Sequence, residues 1–526
     1  MKRLFKWFGA EKGKGAGFSF LSAGNLLIAL ITYLRFAEIA RIFGTTWMTD
    51  AVAIAMVVPL LLQQLVSTAF SLSFIPIYSR VKHEKGTEAA NRLVSRIISW
   101  MCLSGVLVLG LTLARSSFFV RIVGPGSEAR IIDLASNLIR IFLPLVFLNA
   151  IEGVLQNFLN YDNRYGLVSL VRVVQVLISY LGLLIWHREL GIYVIPVSGL
   201  LGAAVSLSIC GVMAFMNRLK FYLVLDPRDR DFRELLRLAM PVTIGTMTGF
   251  LGPVADKILA SFMETSNVTA IDYASRIRNL VRIVLIQPVM VISTVSFSKI
   301  AARADLTRLK SELAGFIRFI SYYTVPISGI LVVLATPIIS VLFQRGNFGP
   351  DESRLVGYAL AFYSPWFAQF GIGLIMRRAF FSLKNSVVPV FLGIWAMIVN
   401  VLLNFIFFES LGIGGLALAT TISSMAKTLL LAYFLRKQLG GLNWSEFLPE
   451  YLRAMAGTFV LIAYIILTAG VFPVDLGASL GSRVTALSLR VFPAVVLYVV
   501  STALMGSTAY RKIRDSISGR FRSSRR

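Results

Sequence analysis

The chain has 526 residues, is 56% hydrophobic and only 15% charged, and carries a formal net charge of +26. A soluble domain holds roughly 25% charged residues, so this composition excludes one; the apolar runs are continuous and not alternating, which excludes a membrane β-barrel. The surplus of Lys and Arg sits mainly in short loops and tails, where positive charge sets topology, so it does not call for nucleic acid as a partner.

Apolar runs of about 20 residues can cross a hydrocarbon core of roughly 30 Å as helices, the form in which a backbone satisfies itself in lipid. In chain order the sequence predicts fourteen spans: 19–43, 51–78, 97–114, 132–158, 165–186, 191–216, 238–262, 271–298, 315–342, 355–381, 386–409, 412–435, 454–472 and 484–507. The tails and every second loop, together with Arg377–Arg378 at the end of span ten, carry 34 Lys and Arg, the intervening loops 7. That asymmetry places both termini in the cytoplasm and requires an even number of spans. The basic N-terminal stretch leads into span one with no processing site, so no cleaved signal is expected. Cys102 and Cys210 lie in apolar runs and read as small core residues; His83 and His187 stand near span ends and are too few for a metal site.

An ionisable residue inside a span is costly and marks function. Span one has Arg35, Glu38 and Arg41, with Arg35 and Glu38 spaced to pair on one helix face. Span four has Arg140 and Glu152, and span seven Asp256 and Lys257. Span eight has Asp272, Arg276, Arg278 and Arg282; span ten ends in Arg377–Arg378, and span twelve carries Lys427. Arginine outnumbers acid, and a guanidinium fork matches phosphate oxygens.

The second half echoes the first. Pro144 and Pro365 stand inside spans four and ten, and Leu190-Gly191-Ile192 and Leu411-Gly412-Ile413 open spans six and twelve, with one sequence offset common to both pairs. Six spans separate the copies, so the repeats are parallel. The expected organisation is a basic tail (1–18), an N-lobe (19–216), a basic linker (217–237), a C-lobe (238–440), two added spans (441–507) and a basic tail (508–526). Two six-helix lobes of this kind suit alternating access. The sequence has no G-x-x-x-x-G-K-[ST], G-x-S-x-G or H-E-x-x-H and no large polar loop, so no enzymatic activity is expected.

Arg41-Ile42-Phe43-Gly44 with Thr49-Asp50-Ala51, Ala69-Phe70-Ser71 with Phe74-Ile75-Pro76-Ile77, Tyr273-Ala274-Ser275-Arg276-Ile277, Leu342 to Phe348, Arg378-Ala379-Phe380-Phe381-Ser382 and Gly412 to Thr420 follow one another in a familiar order. Over roughly residues 19 to 440 the chain resembles the MurJ (MviN) family of lipid II flippases, members of the multidrug/oligosaccharidyl-lipid/polysaccharide exporter superfamily. The resemblance implies that Arg35 and Arg276 bind the lipid pyrophosphate, with Arg278 as a further cation, and that Glu38, Asp50, Gln63, Gln64 and Ser275 are polar cavity residues. It also implies a sodium site of Asp256, Asn400, Asn404 and Thr420. The chain departs from the family pattern at Ala29 and Phe36, at Gln63-Gln64 where the family has two arginines, and at Ser67-Thr68 where it has Glu-Gly.

The function this implies is movement of lipid II from the inner to the outer leaflet of a bacterial cytoplasmic membrane, with both termini cytoplasmic. The drive is membrane potential or a Na+ or H+ gradient; no other cofactor is expected. Partners are the lipid-linked glycan, membrane lipids and cell-wall synthesis proteins. Gln63 and Gln64 keep open a second cargo, another undecaprenyl-pyrophosphate-linked glycan. A drug antiporter would want buried acids in place of arginines, and a glycosyltransferase would want a polar catalytic loop.

Overall fold

The computed structural model describes residues 14–303, 305–511 and 514, and the side chains of all of these except 14–23, 66–73, 241–242, 244–246 and 248–249. The N-terminal tail through residue 13, most of the C-terminal tail, and the side chains of Ser67 to Ser71 lie outside the described residues.

Every regular element among the described residues is helical: α1 (Lys14–Phe43), α2 (Trp47–Ala55), α3 (Val57–Val123), α4 (Ala129–Tyr161), α5 (Tyr165–Leu190), α6 (Val194–Met216), α7 (Arg230–Ala260), α8 (Asn267–Val281), α9 (Gln287–Ala301), α10 (Leu306–Phe343), α11 (Pro350–Tyr363), α12 (Pro365–Ser382), α13 (Val387–Leu439), α14 (Trp444–Leu467) and α15 (Leu480–Leu504). A π-helical turn, Arg282–Ile286, joins α8 to α9. Among the described residues nine helical stretches are long and apolar enough to cross a membrane, and α11 with α12, bent by 42°, makes a tenth. Three stretches, Phe74–Val123, Tyr165–Met216 and Val387–Leu439, have 50 or more residues. At 1.5 Å rise per residue each is longer than one crossing needs. They are broken at Gly86, Gly191 and Gly412, all with positive φ. With these breaks the helices accord with about fourteen spans.

The duplication is visible in the backbone. Asn163 (φ 59°) and Lys384 (φ 57°) are left-handed at equivalent turns of the two copies, separated by the same offset as the proline pair. Arg164 N–H donates to Leu159 C=O and Asn385 N–H to Phe380 C=O, the same helix-terminating bond at 3.0 Å in both copies.

The chain forms two compact units, Met1–Val268 and Thr269–Arg526. Helix α7 therefore belongs to the first unit, whereas the sequence grouping set span seven at the head of the second lobe. The reason is a set of ion pairs between α3 and the start of α7: Arg80 to Glu234 (2.8 Å) and Asp231 (3.3 Å), Lys85 to Asp231 (2.6 Å), and Arg96 to Asp229 (2.8 Å). Behind them Phe74, Tyr78, Phe158, Leu159 and Leu235 pack in one buried cluster. Small residues let the backbones close up, as membrane helices require when lipid is as apolar as their side chains. A Cβ on Gly202 would lie 2.5 Å from the Gln175 carbonyl, which brings α6 against α5.

In the second unit Phe297, Leu309, Ile317, Ile375, Phe380 and Leu435 make the main core. Phe391, Ile394, Ile398, Leu402 and Phe405 are exposed along α13, an i, i+3/i+4 stripe suited to lipid. The added helices are fastened by buried polar groups. Arg483 donates to Ser340 C=O at 2.9 Å, Arg490 to Ile465 C=O at 2.8 Å, and Tyr498 Oη to Tyr322 C=O at 2.5 Å. Glu450, 2% exposed, accepts from the Ser507 hydroxyl and from the backbone N–H groups of Thr508 (3.1 Å) and Ala509 (3.2 Å).

Candidate functional site

In the first unit Arg35 extends from α1 and its Nη2 donates to the Ile195 carbonyl at 2.8 Å. Pro196 follows that residue, and Gly199 stands beside the guanidinium, its Cβ position 3.9 Å from Nη2. The expected Arg35–Glu38 pair is not formed. Glu38 is held instead by Arg41, with Nη2 to Oε1 at 2.5 Å and Nε to the same carboxylate at 3.0 Å. Both spacings are three residues, and the C-terminal partner takes the carboxylate in a two-pronged grip.

Asp50, 2% exposed, accepts from Ser266 N–H at 2.6 Å, while Ser266 Oγ donates to Thr45 C=O at 2.6 Å. These bonds tie Ser266, at φ 84°, to α2 and to the turn before it. Lys257 donates to Ala53 C=O at 3.2 Å, and its neighbour Asp256 is 2% exposed. Gln63 and Gln64 are half-buried on α3.

In the second unit Arg276 pairs with Asp272 at 2.5 Å, and Ser275 Oγ donates to Asp272 C=O at 2.9 Å. Arg278 lies on another face of α8, covered by the rings of Tyr363 (4.3 Å) and Trp366 (5.3 Å) and 7% exposed. The aromatic faces stabilise its charge by cation–π attraction. On α13 Asn400 Nδ2 donates to Thr420 Oγ1 at 3.1 Å, and Asn404, one turn on, is fully buried.

The sequence reading missed two polar clusters. In the first unit Ser206 Oγ (2.5 Å) and Gln156 Nε2 (2.6 Å) both donate to Glu152 Oε1. In the second, Thr428 Oγ1 donates to Gln369 Oε1 at 2.8 Å. The four-residue spacing of Glu152 and Gln156 is legible in sequence; the helix that brings Ser206 to them is not.

The fold is one that solved membrane transporters share. A solved structure described as lipid II flippase MurJ in an inward closed conformation aligns over 94% of this chain and 99% of its own, with a TM-score of 0.79 at 21% identity. An inward-facing MATE family multidrug transporter of the MOP superfamily aligns over 78% of this chain and 94% of its own, with a TM-score of 0.68 at 16% identity. The chain belongs to the lipid II flippase MurJ family, whose model matches residues 39–477. Among its relatives, the lipid II flippase MurJ of Burkholderia cenocepacia is 26% identical over 79% of this chain and 83% of its own length. The probable lipid II flippase MurJ of Vibrio cholerae is 24% identical over 78% and 81%. The family is one of transporters, not enzymes, and its substrate is lipid-linked.

Proposed function

We propose that this protein moves lipid II from the inner to the outer leaflet of a bacterial cytoplasmic membrane by alternating access. The observation that carries this reading is the family match across residues 39–477, supported by the deep arginines. Arg35 in the first unit and Arg276 in the second each supply a guanidinium to the pyrophosphate, and Arg278 adds positive potential from beneath its aromatic cover. Glu38, Asp50, Gln63, Gln64 and Ser275 shape or buttress the polar surfaces around them. Both termini are cytoplasmic, and cell-wall synthesis proteins are the natural neighbours of such an activity.

Each negative charge carried outward gains roughly 2.3 kcal/mol per 100 mV of inside-negative potential. A gradient of Na+ or H+ is the other source of drive. Oxygen donors suit a small hard cation. Asn400 Oδ1, buried and without a hydrogen-bond donor among the described residues, fits that requirement beside Thr420 and Asn404; Asp256 is one of the buried acids of the first unit.

The test is complementation of a strain whose only lipid II flippase can be shut off. Rescue by this chain, lost with Arg276→Ala, supports the reading. Failure of a membrane-inserted protein to rescue sinks it. Gln63 and Gln64, which replace arginines of the family pattern, favour in that event another undecaprenyl-pyrophosphate-linked glycan as the cargo.

A further inference from the structure

Four basic side chains of the second unit have no part in the sites above: Arg282, Arg377, Arg378 and Lys427. All are half-buried. None forms an ion pair or a side-chain hydrogen bond among the described residues.

One face of α12 brings them together. Trp366, Gln369, Gly373 and Arg377 recur at three- and four-residue steps and so share that face. Trp366 lies beneath Arg278 of α8. Gln369 accepts from Thr428 of α13 at 2.8 Å, and a Cβ on Gly373 would stand 2.5 Å from the same Thr428 hydroxyl. Arg377 is the next turn of that face. Lys427 precedes Thr428, and Arg282 is one turn beyond Arg278. Arg377 lies within electrostatic range of Arg282 and Arg378, and Lys427 within range of Arg377.

The internal repeat explains what this cluster lacks. At the repeat offset, Glu152, Gln156 and Ser206 correspond to Gly373, Arg377 and Lys427. In the first unit Gln156 and Ser206 converge on one oxygen of the Glu152 carboxylate. The equivalent place in the second unit has no carboxylate, because its residue is Gly373, and two cations stand where the first unit has an amide and a hydroxyl. The first unit carries its own carboxyl group there; the second presents only basic side chains. Gln369 Nε2, a donor in a side chain 6% exposed, has no acceptor among the described residues.

Snorkelling to an interface does not account for Arg282. Arg282 stands fifteen residues after Asn267 and nineteen before Ala301, roughly 22 and 28 Å along helix rising 1.5 Å per residue. Like charges gathered in a low-dielectric setting repel strongly and call for a counter-anion.

We propose that Arg282, Arg377 and Lys427 form a second anion site, within the second unit, that takes the phosphoryl oxygens of a pyrophosphate. Two guanidinium forks and an ammonium match such a group. Only the identity of the anion rests on the proposed cargo. The source is either the lipid-linked pyrophosphate or free inorganic pyrophosphate, and the site would hold the group separately from Arg276.

The test uses the full chain in nanodiscs of zwitterionic lipid. Binding of inorganic pyrophosphate and of undecaprenyl pyrophosphate is titrated calorimetrically. The central variant is Arg377→Gln with Lys427→Ser, which installs the side chains that the first unit has at equivalent positions. It should weaken binding of at least one probe about tenfold, a loss of ~1.4 kcal/mol, while leaving the thermal midpoint unchanged or raised, because it removes mutual repulsion. Loss for both probes assigns recognition to the phosphoryl group itself; loss for the lipid form alone makes the lipid carrier the source. Arg377→Lys, which keeps the charge but not the fork, should bind less tightly than the parent and more tightly than the double variant. Unchanged binding of both probes by the folded double variant overturns the proposal, as does a fall in midpoint with binding intact, which would make the cluster structural. A parent protein that binds pyrophosphate but fails complementation would remove the lipid II reading and leave this site standing.

Discussion

Gly191 and Gly412, equivalent positions of the internal repeat, hold the same backbone conformation, φ 53° with ψ −136° and φ 55° with ψ −133°. An L side chain is strained there, by about 1–3 kcal/mol per residue. Gly412→Ala and Gly191→Ala should therefore each lower the thermal midpoint in detergent. Gly211→Ala is the control, since that helical position has open space around it and alanine favours helix. Equal midpoints for Gly412→Ala and Gly211→Ala would mean that the break carries no strain.

Arg35→Lys should lose most flipping activity while the protein stays folded. The lysine keeps the charge but not the fork that can hold Ile195 C=O with one arm and a phosphate with another. Activity is read as rescue in the depletion strain and folding as the thermal midpoint. Full rescue by Arg35→Lys would show that charge alone suffices.

The fastening of α15 rests on Arg483 and Arg490, 5% and 7% exposed. Arg490→Leu leaves the Ile465 carbonyl without its guanidinium donor, at a cost of about 1–3 kcal/mol for a buried group deprived of its partner. Limited proteolysis between α14 and α15, around residues 468–479, should speed up in that variant. An unchanged cleavage rate would count against the fastening role.

The α3–α7 clasp should loosen in acid. Hydrogen bonding to the Arg80 guanidinium holds the Glu234 carboxyl below the usual carboxylate range. A carboxylate lowered in this way contributes stability above its unfolded pKa, and that contribution is lost as pH falls through the folded value. Glu234 is solvent-exposed, so the effect should be modest and screened by salt. Hydrogen exchange of residues 230–237 should quicken on acidification in the parent protein, and Glu234→Gln should flatten that pH dependence. The same dependence in both proteins would assign the acid response elsewhere.

Much of the architecture was legible because lipid makes sequence blunt. Spans are long and apolar, loops differ in charge, and the repeat offset survives in Gly191 and Gly412. What escaped depends on choices between partners. Glu38 has an arginine three residues away on each side, and spacing alone does not rank them. The rings over Arg278 come from α11 and α12, more than eighty residues downstream. The assignment of α7 to the first unit follows from ion pairs with α3 that no local pattern announces. The Glu152 cluster escaped because Ser206 joins it across more than fifty residues.

Glu450 is satisfied by Ser507, Thr508 and Ala509, where the last span gives way to the C-terminal tail. A ribosome delivers Glu450 well before it delivers those donors. During synthesis this acid must wait on α14 in contact with water, headgroups or Arg453, which is 3.2 Å away in the finished protein. Assembly of the final two spans is thus completed only after translation of the tail has begun. A tag or truncation placed at residue 506 would strand the acid, whereas one placed beyond Arg511 would spare its donors.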